Sequence, residues 1–255
     1  MPPPDIDVYL VSYPKSGRTW LRIMLGQALC LRHGLDSKLA LQTAAVTAIA
    51  GVLRTDVTHD ETDLRYTRHF ASLSSDKSRF ADKKVIFLTR DVRDVVVSNY
   101  FEATRRRHLF PLTVEFEGTL SDFVRSPAFG VRKVAAFYEA WERNRDVPRD
   151  FLRVRYEDLH AAPAESLRRV LRFVGADSVD REIVARAVAF ASFGNMRRLE
   201  EGNFFDHACM RPGDPSDPDS YKVRRGRVGG YKDYLSDADL AYIELVLRSR
   251  FRAAA

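Results

Sequence analysis

Three short apolar runs, at 8–11, 85–89 and 152–156, each give way to a stretch whose apolar residues recur at helical spacing. The first ends at Ser12-Tyr13-Pro14 and passes through a Lys-Ser-Gly turn into a predicted helix over 19–32. The second meets Asp91, a residue suited to capping the N-terminus of a helix that continues to about Arg106. The third precedes a helix over 163–175, with Pro163 near its start and Gly175 at its end. Strands alternating with helices predict an α/β fold, a mostly parallel central sheet flanked by helices on both faces. Further helices are expected over 130–146, 180–191 and 236–250.

A chain of 255 residues with 45% hydrophobic and 30% charged residues fits one globular domain, taken as 1–255. Forty-one Lys and Arg against 35 Asp and Glu leave a net charge of +6, which favours anionic ligands. Many of the arginines alternate with acids, as over 165–172, and read as surface pairs, so no nucleic-acid partner is expected. Cys30 and Cys209 have no metal-ligand or disulfide spacing. No stretch approaches 18 uncharged apolar residues and six residues precede the stretch 7–13 that holds the first apolar run, so the expectation is a soluble, cytoplasmic protein with no membrane partner. Two stretches break the pattern. Segment 202–223, rich in Pro and Asp, is expected as a mobile loop, and 33–68, apolar and then polar, is ambiguous.

The segment Tyr13-Pro14-Lys15-Ser16-Gly17-Arg18-Thr19-Trp20 joins a strand to the first turn of a helix. Unpaired backbone N–H groups and the positive end of the helix dipole favour an anion there. Lys15 adds a cation, Ser16 and Thr19 add hydroxyls, and Gly17 allows close approach. Lys15 precedes the glycine, unlike the GxxxxGK[ST] loop of nucleoside triphosphatases. A second anion-binding candidate is Arg90 at a strand end with Ser98 eight residues on. A third is Val223-Arg224-Arg225-Gly226-Arg227-Val228-Gly229-Gly230-Tyr231-Lys232. Each has a plainer reading in isolation: a basic turn with a core Trp, an Arg90–Asp94 pair beside an ordinary serine, and a surface loop.

Pro-Lys-Ser-Gly-x-Thr-Trp, with the two later segments in the same order, resembles the sulfotransferases that use 3'-phosphoadenosine 5'-phosphosulfate (PAPS). The resemblance spans about 8–235 and implies a P-loop-like domain. It implies Lys15 beside the oxygen bridging phosphate and sulfate, Ser16, Gly17, Arg18 and Thr19 on the 5'-phosphate, and Trp20 near adenine. It also implies Arg90, Ser98, Arg224, Arg225 and Gly226 on the 3'-phosphate, with Tyr156 and Phe193 as adenine contacts. Arg18 stands where Thr is commoner, Tyr231 where Trp is usual and Gly230 where an acid is usual.

Sulfuryl transfer needs a cation at the leaving oxygen and a base for the acceptor proton. The resemblance places His69, in Thr67-Arg68-His69-Phe70, at the family's Lys-Thr-His-Leu histidine, with Thr67 in the lysine position. His59 beside Asp60 and Glu61 is the rival, and a carboxylate is a further option. The acceptor is expected to be a small molecule with a hydroxyl or amine, held by 33–68 and 101–120, with 105–108 attracting an acidic one. No metal is expected, and a homodimer is compatible with the basic C-terminal helix. The alternatives are a P-loop nucleotide kinase and a non-catalytic nucleotide-binding module.

Overall fold

The computed structural model describes residues 5–63, 68–106, 109 and 116–251. Its centre is a four-stranded sheet of β1 (Val8–Ser12), β2 (Thr55–Thr58), β3 (Lys84–Thr89) and β4 (Asp150–Arg155), in the order β2-β1-β3-β4 with every pair parallel. The register sets Val8 opposite Thr55 and Lys84, and Lys84 opposite Asp150, so all four strands end at one edge.

Helices complete the layers: α1 (Arg18–His33), α2 (Thr43–Ile49), α3 (Val92–Arg105), α4 (Leu120–Arg125), α5 (Val131–Arg143), α6 (Tyr156–Ala161), α7 (Pro163–Phe173), α8 (Arg181–Phe190), α9 (Phe193–Glu201) and α10 (Asp237–Phe251). Because side chains alternate along a strand, each central strand feeds two cores. Val8, Leu10, Ile86 and Leu88 pack under Leu21, Leu25, Leu167 and Val184 on one face. Val11, Val85 and Phe87 pack under Val95, Val134, Phe137 and Trp141 on the other. The predicted strands and helices stand where the patterns put them, within a few residues at their ends.

Two elements depart from expectation. Strand β2 is a polar, β-branched Thr-Asp-Val-Thr at the sheet edge, without the apolar run that marks a central strand. Tyr156, read as the end of a strand, instead opens α6 directly after β4. Segment 202–223 is irregular as its composition requires, but it is stitched to the body. Buried Arg106 donates to the carbonyls of Cys209, Ser220 and Arg211, and Glu200 accepts from the backbone N–H groups of Lys222 and Val223 at 2.6 and 2.8 Å. Thr67 and the pair Arg107 and His108 lie outside the described residues. No helix among the described residues is long and apolar enough to cross a membrane.

Candidate active site

Parallel pairing brings the segments that follow the four strands to one edge, where open α/β sheets bind ligands. The Lys15 turn follows β1, His59 follows β2, Arg90 follows β3 and Tyr156 follows β4. A cavity of about 660 Å³ opens there, within the usual range for a small-molecule site. Of the sequence-predicted residues, Lys15, Gly17, Arg18, Thr19, Trp20, Arg90, Ser98, Tyr156, Phe193, Arg224, Arg225 and Gly226 all line it. Ser16 is buried just behind the wall.

The turn owes its shape to two left-handed residues, Lys15 (φ 69°) and Gly17 (φ 97°). Such a conformation in a lysine persists only where surrounding contacts enforce it. At Gly17 the reason for glycine is also steric, since a Cβ would sit 2.5 Å from the Tyr156 ring. Arg90 ties the turn to the late basic segment. Its guanidinium donates to the carbonyls of Lys15 and Arg227, at 3.2 Å each, and lies 4.2 Å over the Tyr156 ring. The Tyr138 hydroxyl lies 3.2 Å from Ser16 Oγ and accepts from the Arg90 backbone N–H at 3.1 Å. The Arg90–Asp94 pair expected of a plain surface motif is present at 3.7 Å, but Asp94 has a larger task. Its carboxylate accepts from the backbone N–H groups of Gly229 and Tyr231 at 2.8 and 2.9 Å, pinning the glycine-rich segment to α3.

An aromatic wall flanks the turn. Trp20 is fixed by donating to the Ala191 carbonyl at 2.8 Å, and its ring lies 5.7 Å from Tyr156 and 5.0 Å from His160. Phe193 closes over Gly226 (φ 57°) so tightly that a Cβ there would lie 2.2 Å from its ring. Arg224 is held at 4.0 Å over Phe101 and donates to the Tyr234 hydroxyl at 2.6 Å, while Arg225 is exposed.

The other end of the cavity is ionic. Lys15 Nζ donates to Glu102 Oε2 at 2.5 Å, Lys222 Nζ to Glu102 Oε1 at 3.1 Å, and Arg106 Nε lies 3.1 Å from Glu102 Oε2. Burial opposes ionisation of Glu102, but the charges of Lys15, Lys222 and Arg106 outweigh it and hold the carboxyl well below its ordinary value. Burial lowers Lys15 to about 7 against the pull of Glu102, with Lys222 and Arg106 reinforcing the drop. His59 faces the same space and its Nδ1 is 2.7 Å from the Ser12 carbonyl. Burial, and then the charge of Arg18, push its pKa well below the ordinary value.

A sulfotransferase domain model matches residues 5–254. The chain belongs to the sulfotransferase domain family. It is a PAPS-dependent sulfotransferase. Among its relatives is a flavonol 3-sulfotransferase of Flaveria bidentis, 26% identical over 97% of this chain and 82% of the relative. Another is cytosolic sulfotransferase 10 of Arabidopsis thaliana, 25% identical over 99% of this chain and 80% of that one. Its fold is similar to a mouse sulfotransferase complexed with PAP, the 3',5'-adenosine bisphosphate, with a TM-score of 0.66 at 19% identity over 98% of this chain and 86% of the other. It is similar too to retinol dehydratase in complex with androsterone and PAP, with a TM-score of 0.65 at 16% identity over 97% and 81% of the two chains.

The sulfotransferase departs from the sequence reading at one residue above all. His69, expected as the base, is exposed and away from the cavity lining. Its Nδ1 accepts from the Ala71 N–H at 3.0 Å and its ring stacks on Phe70 at 4.4 Å. The rival His59 stands in the cavity, immediately after β2. Thr58-His59 is also a Thr-His pair, as in the Lys-Thr-His-Leu segment, whereas Arg68 precedes His69. Sequence reasoning also missed Arg22, Asp63, His160 and Lys222 on the cavity wall, and the special position of Glu102 within 101–120. None of them belongs to the three segments 13–20, 89–100 and 223–232 that stood out in the sequence.

Proposed function

We propose that this sulfotransferase passes the sulfuryl group of PAPS to a hydroxyl or amine of a small molecule, with Lys15 at the leaving oxygen and His59 as the base. The observation that carries the reading is the meeting of Lys15, His59 and the three anion-binding segments on one cavity at the carboxyl edge of a parallel sheet. The residues present fit a bisphosphorylated adenosine. Arg90 Nε is a buried polar atom with no hydrogen-bond partner, and the first turn of α1 faces the cavity at Gly17, Arg18 and Thr19.

In this reading the backbone N–H groups of 16–19, at the start of α1, hold the 5'-phosphate together with the Ser16 and Thr19 hydroxyls. Arg90, Ser98, Arg224, Arg225 and the Gly226 backbone hold the 3'-phosphate, and Trp20, Tyr156 and Phe193 hold the adenine. The donor supplies a sulfur that the acceptor attacks in line as its bond to the phosphate oxygen breaks. Lys15 neutralises charge growing on that oxygen, a preorganised cation whose loss typically costs about 10²- to 10³-fold in turnover. The Ser12 carbonyl can only accept, so His59 carries its proton on Nδ1 and presents the Nε2 lone pair. Its lowered pKa keeps it neutral, and so able to take the acceptor's proton, at pH 7.

The relatives named cytosolic sulfotransferases support a cytoplasmic location, and those named for flavonols support a small-molecule acceptor. Two measurements test the proposal. PAP should raise the melting temperature while ATP with magnesium should not, by mass action on the folded state. Labelled PAPS with a panel of phenols, alcohols and amines should yield products heavier by one sulfuryl group. Protection by ATP with magnesium and not by PAP would restore the kinase reading, and PAP binding with no product across the panel would favour the non-catalytic module.

A further inference from the structure

Arg18 and Arg22 lie one helical turn apart on α1, and both line the cavity. Neither forms a salt bridge among the described residues, although the same wall is crowded with ion pairs. Arg22 is steadied by uncharged partners only, donating to Thr43 Oγ1 at 3.0 Å and to the Leu41 carbonyl. Arg18 keeps its Nη1 buried without a hydrogen-bond partner. Two unneutralised guanidinium groups side by side and largely out of water are costly unless an anion arrives between them. Their pKa values agree, since burial lowers both and the charge of Arg22 lowers Arg18 further, to about 10.

The nearby acids do not fill the role. Glu102 is saturated by Lys15, Lys222 and Arg106. Asp63 and Asp56 pull the Arg18 pKa upward without offsetting its burial, and no salt bridge joins either to Arg18 among the described residues. The Arg18 side chain is also the strongest charged influence on His59, which places it on the histidine side of the cavity. A donor phosphate seated on the backbone of 16–19 therefore leaves this pair facing the acceptor.

Resting on the sulfotransferase reading, we infer that the acceptor carries an anionic group, a carboxylate or a comparable oxyanion, which docks between Arg18 and Arg22 and turns the acceptor hydroxyl toward His59. Guanidinium forks match such a group in two-point contact.

The test uses matched acceptors, para-hydroxybenzoate against para-hydroxybenzamide and hydroxyphenylacetate against its amide, with PAPS and the full chain. The expected kcat/KM favours the acids by about 10- to 100-fold, the worth of charge-assisted hydrogen bonds. Arg22→Gln should bring that ratio toward one, and Arg22→Lys should leave it in between. A ratio at or below one in both pairs, or one that Arg22→Gln does not change, overturns the inference. If none of these acceptors turns over, the PAP-loaded enzyme is heated with benzoate and with phenylacetate. An added stabilisation that Arg22→Gln abolishes upholds the inference, and its absence overturns it. Should Arg22→Gln no longer be protected by PAP, Arg22→Lys supplies the comparison, and an unchanged ratio or stabilisation counts against the idea. Failure of PAP to protect the wild-type chain would bring down the sulfotransferase reading itself; PAP protection with acids and amides sulfated alike would remove only the anionic acceptor.

Discussion

The two ends of the cavity are built on different principles. The end around the Lys15 turn is made largely of backbone: the start of α1, the left-handed residues at 15, 17 and 226, and carbonyls and N–H groups tied by Arg90, Tyr138 and Asp94. The His59 end is made of side chains: a histidine just after an edge strand, a glutamate holding two lysines and an arginine, and two arginines that form no salt bridge among the described residues. Backbone geometry demands particular residues at particular offsets, which suits the first end to the donor of the proposed function. Side chains can be exchanged without disturbing the sheet, which suits the second end to the proposed acceptor.

The contrast predicts where function is most fragile. His59→Ala should lower turnover by about 10²- to 10⁴-fold, the usual worth of a positioned base, with PAP affinity retained. His69→Ala should stay within about twofold, as an exposed surface change does. Steady-state kinetics on both variants decide the matter, and the reverse result would return the base to position 69. Lys15→Met should cost about 10²- to 10³-fold in kcat. Unlike the histidine variant it should also weaken PAP, because it removes a cation from the phosphate end.

The same division explains what could be read from the sequence. Strands β1 and β3 were legible because burial on both faces enforces apolar runs, edge strand β4 because Phe151, Leu152 and Val154 keep it recognisably apolar, and the Lys15 turn because an anion-binding turn needs glycine and a helix start. Strand β2 was not. It lies at the sheet edge and, unlike edge strand β4 with Phe151, Leu152 and Val154, carries a single apolar residue, Val57, so no apolar run pointed to the strand or to His59 after it. Glu102 was hidden for a related reason. On sequence it is one more charged residue on α3, and only the fold brings Lys15 and Lys222 to its carboxylate. Tyr138 likewise reads as a core aromatic on α5 until its hydroxyl is found between Ser16 and Arg90.

Two substitutions probe whether the backbone end depends on its scaffolding. Asp94→Ala removes the acceptor of the Gly229 and Tyr231 N–H groups and should release the late basic segment. Hydrogen bonds to a charged group contribute about 1.5–3 kcal/mol each, so PAP affinity should fall roughly 10- to 100-fold while any His59-dependent chemistry at saturating PAPS survives. Gly17→Ala drives a Cβ into Tyr156 and asks alanine to hold φ 97°. About 1–3 kcal/mol of strain is expected, seen as a lower melting temperature and a PAP affinity reduced by about tenfold. An unchanged affinity in either variant would show that the phosphate grip does not need the close packing of turn and ring.

The smallest effect expected joins the two ends, because Lys15 belongs to both. In the ligand-free protein burial holds its ammonium at about 7, with Glu102 as the carboxylate it faces. Adding phosphates beside it raises that pKa, so binding must take up a proton wherever the free lysine is partly neutral. The sign follows: affinity for PAP is greatest below pH 7 and falls as pH rises above it, by up to about tenfold per unit, until the pKa of the bound state is passed. At pH 7 the uptake by Lys15 should be about half a proton, measurable by titration calorimetry in buffers of differing ionisation heat. The phosphates of PAP exchange protons in the same range, since a phosphate monoester loses its second proton near pH 6. Lys15→Met serves as the subtraction. If the variant and the wild type take up the same number of protons, the lysine enters the complex already charged, and its contact with Glu102 has no part in gating the phosphate end.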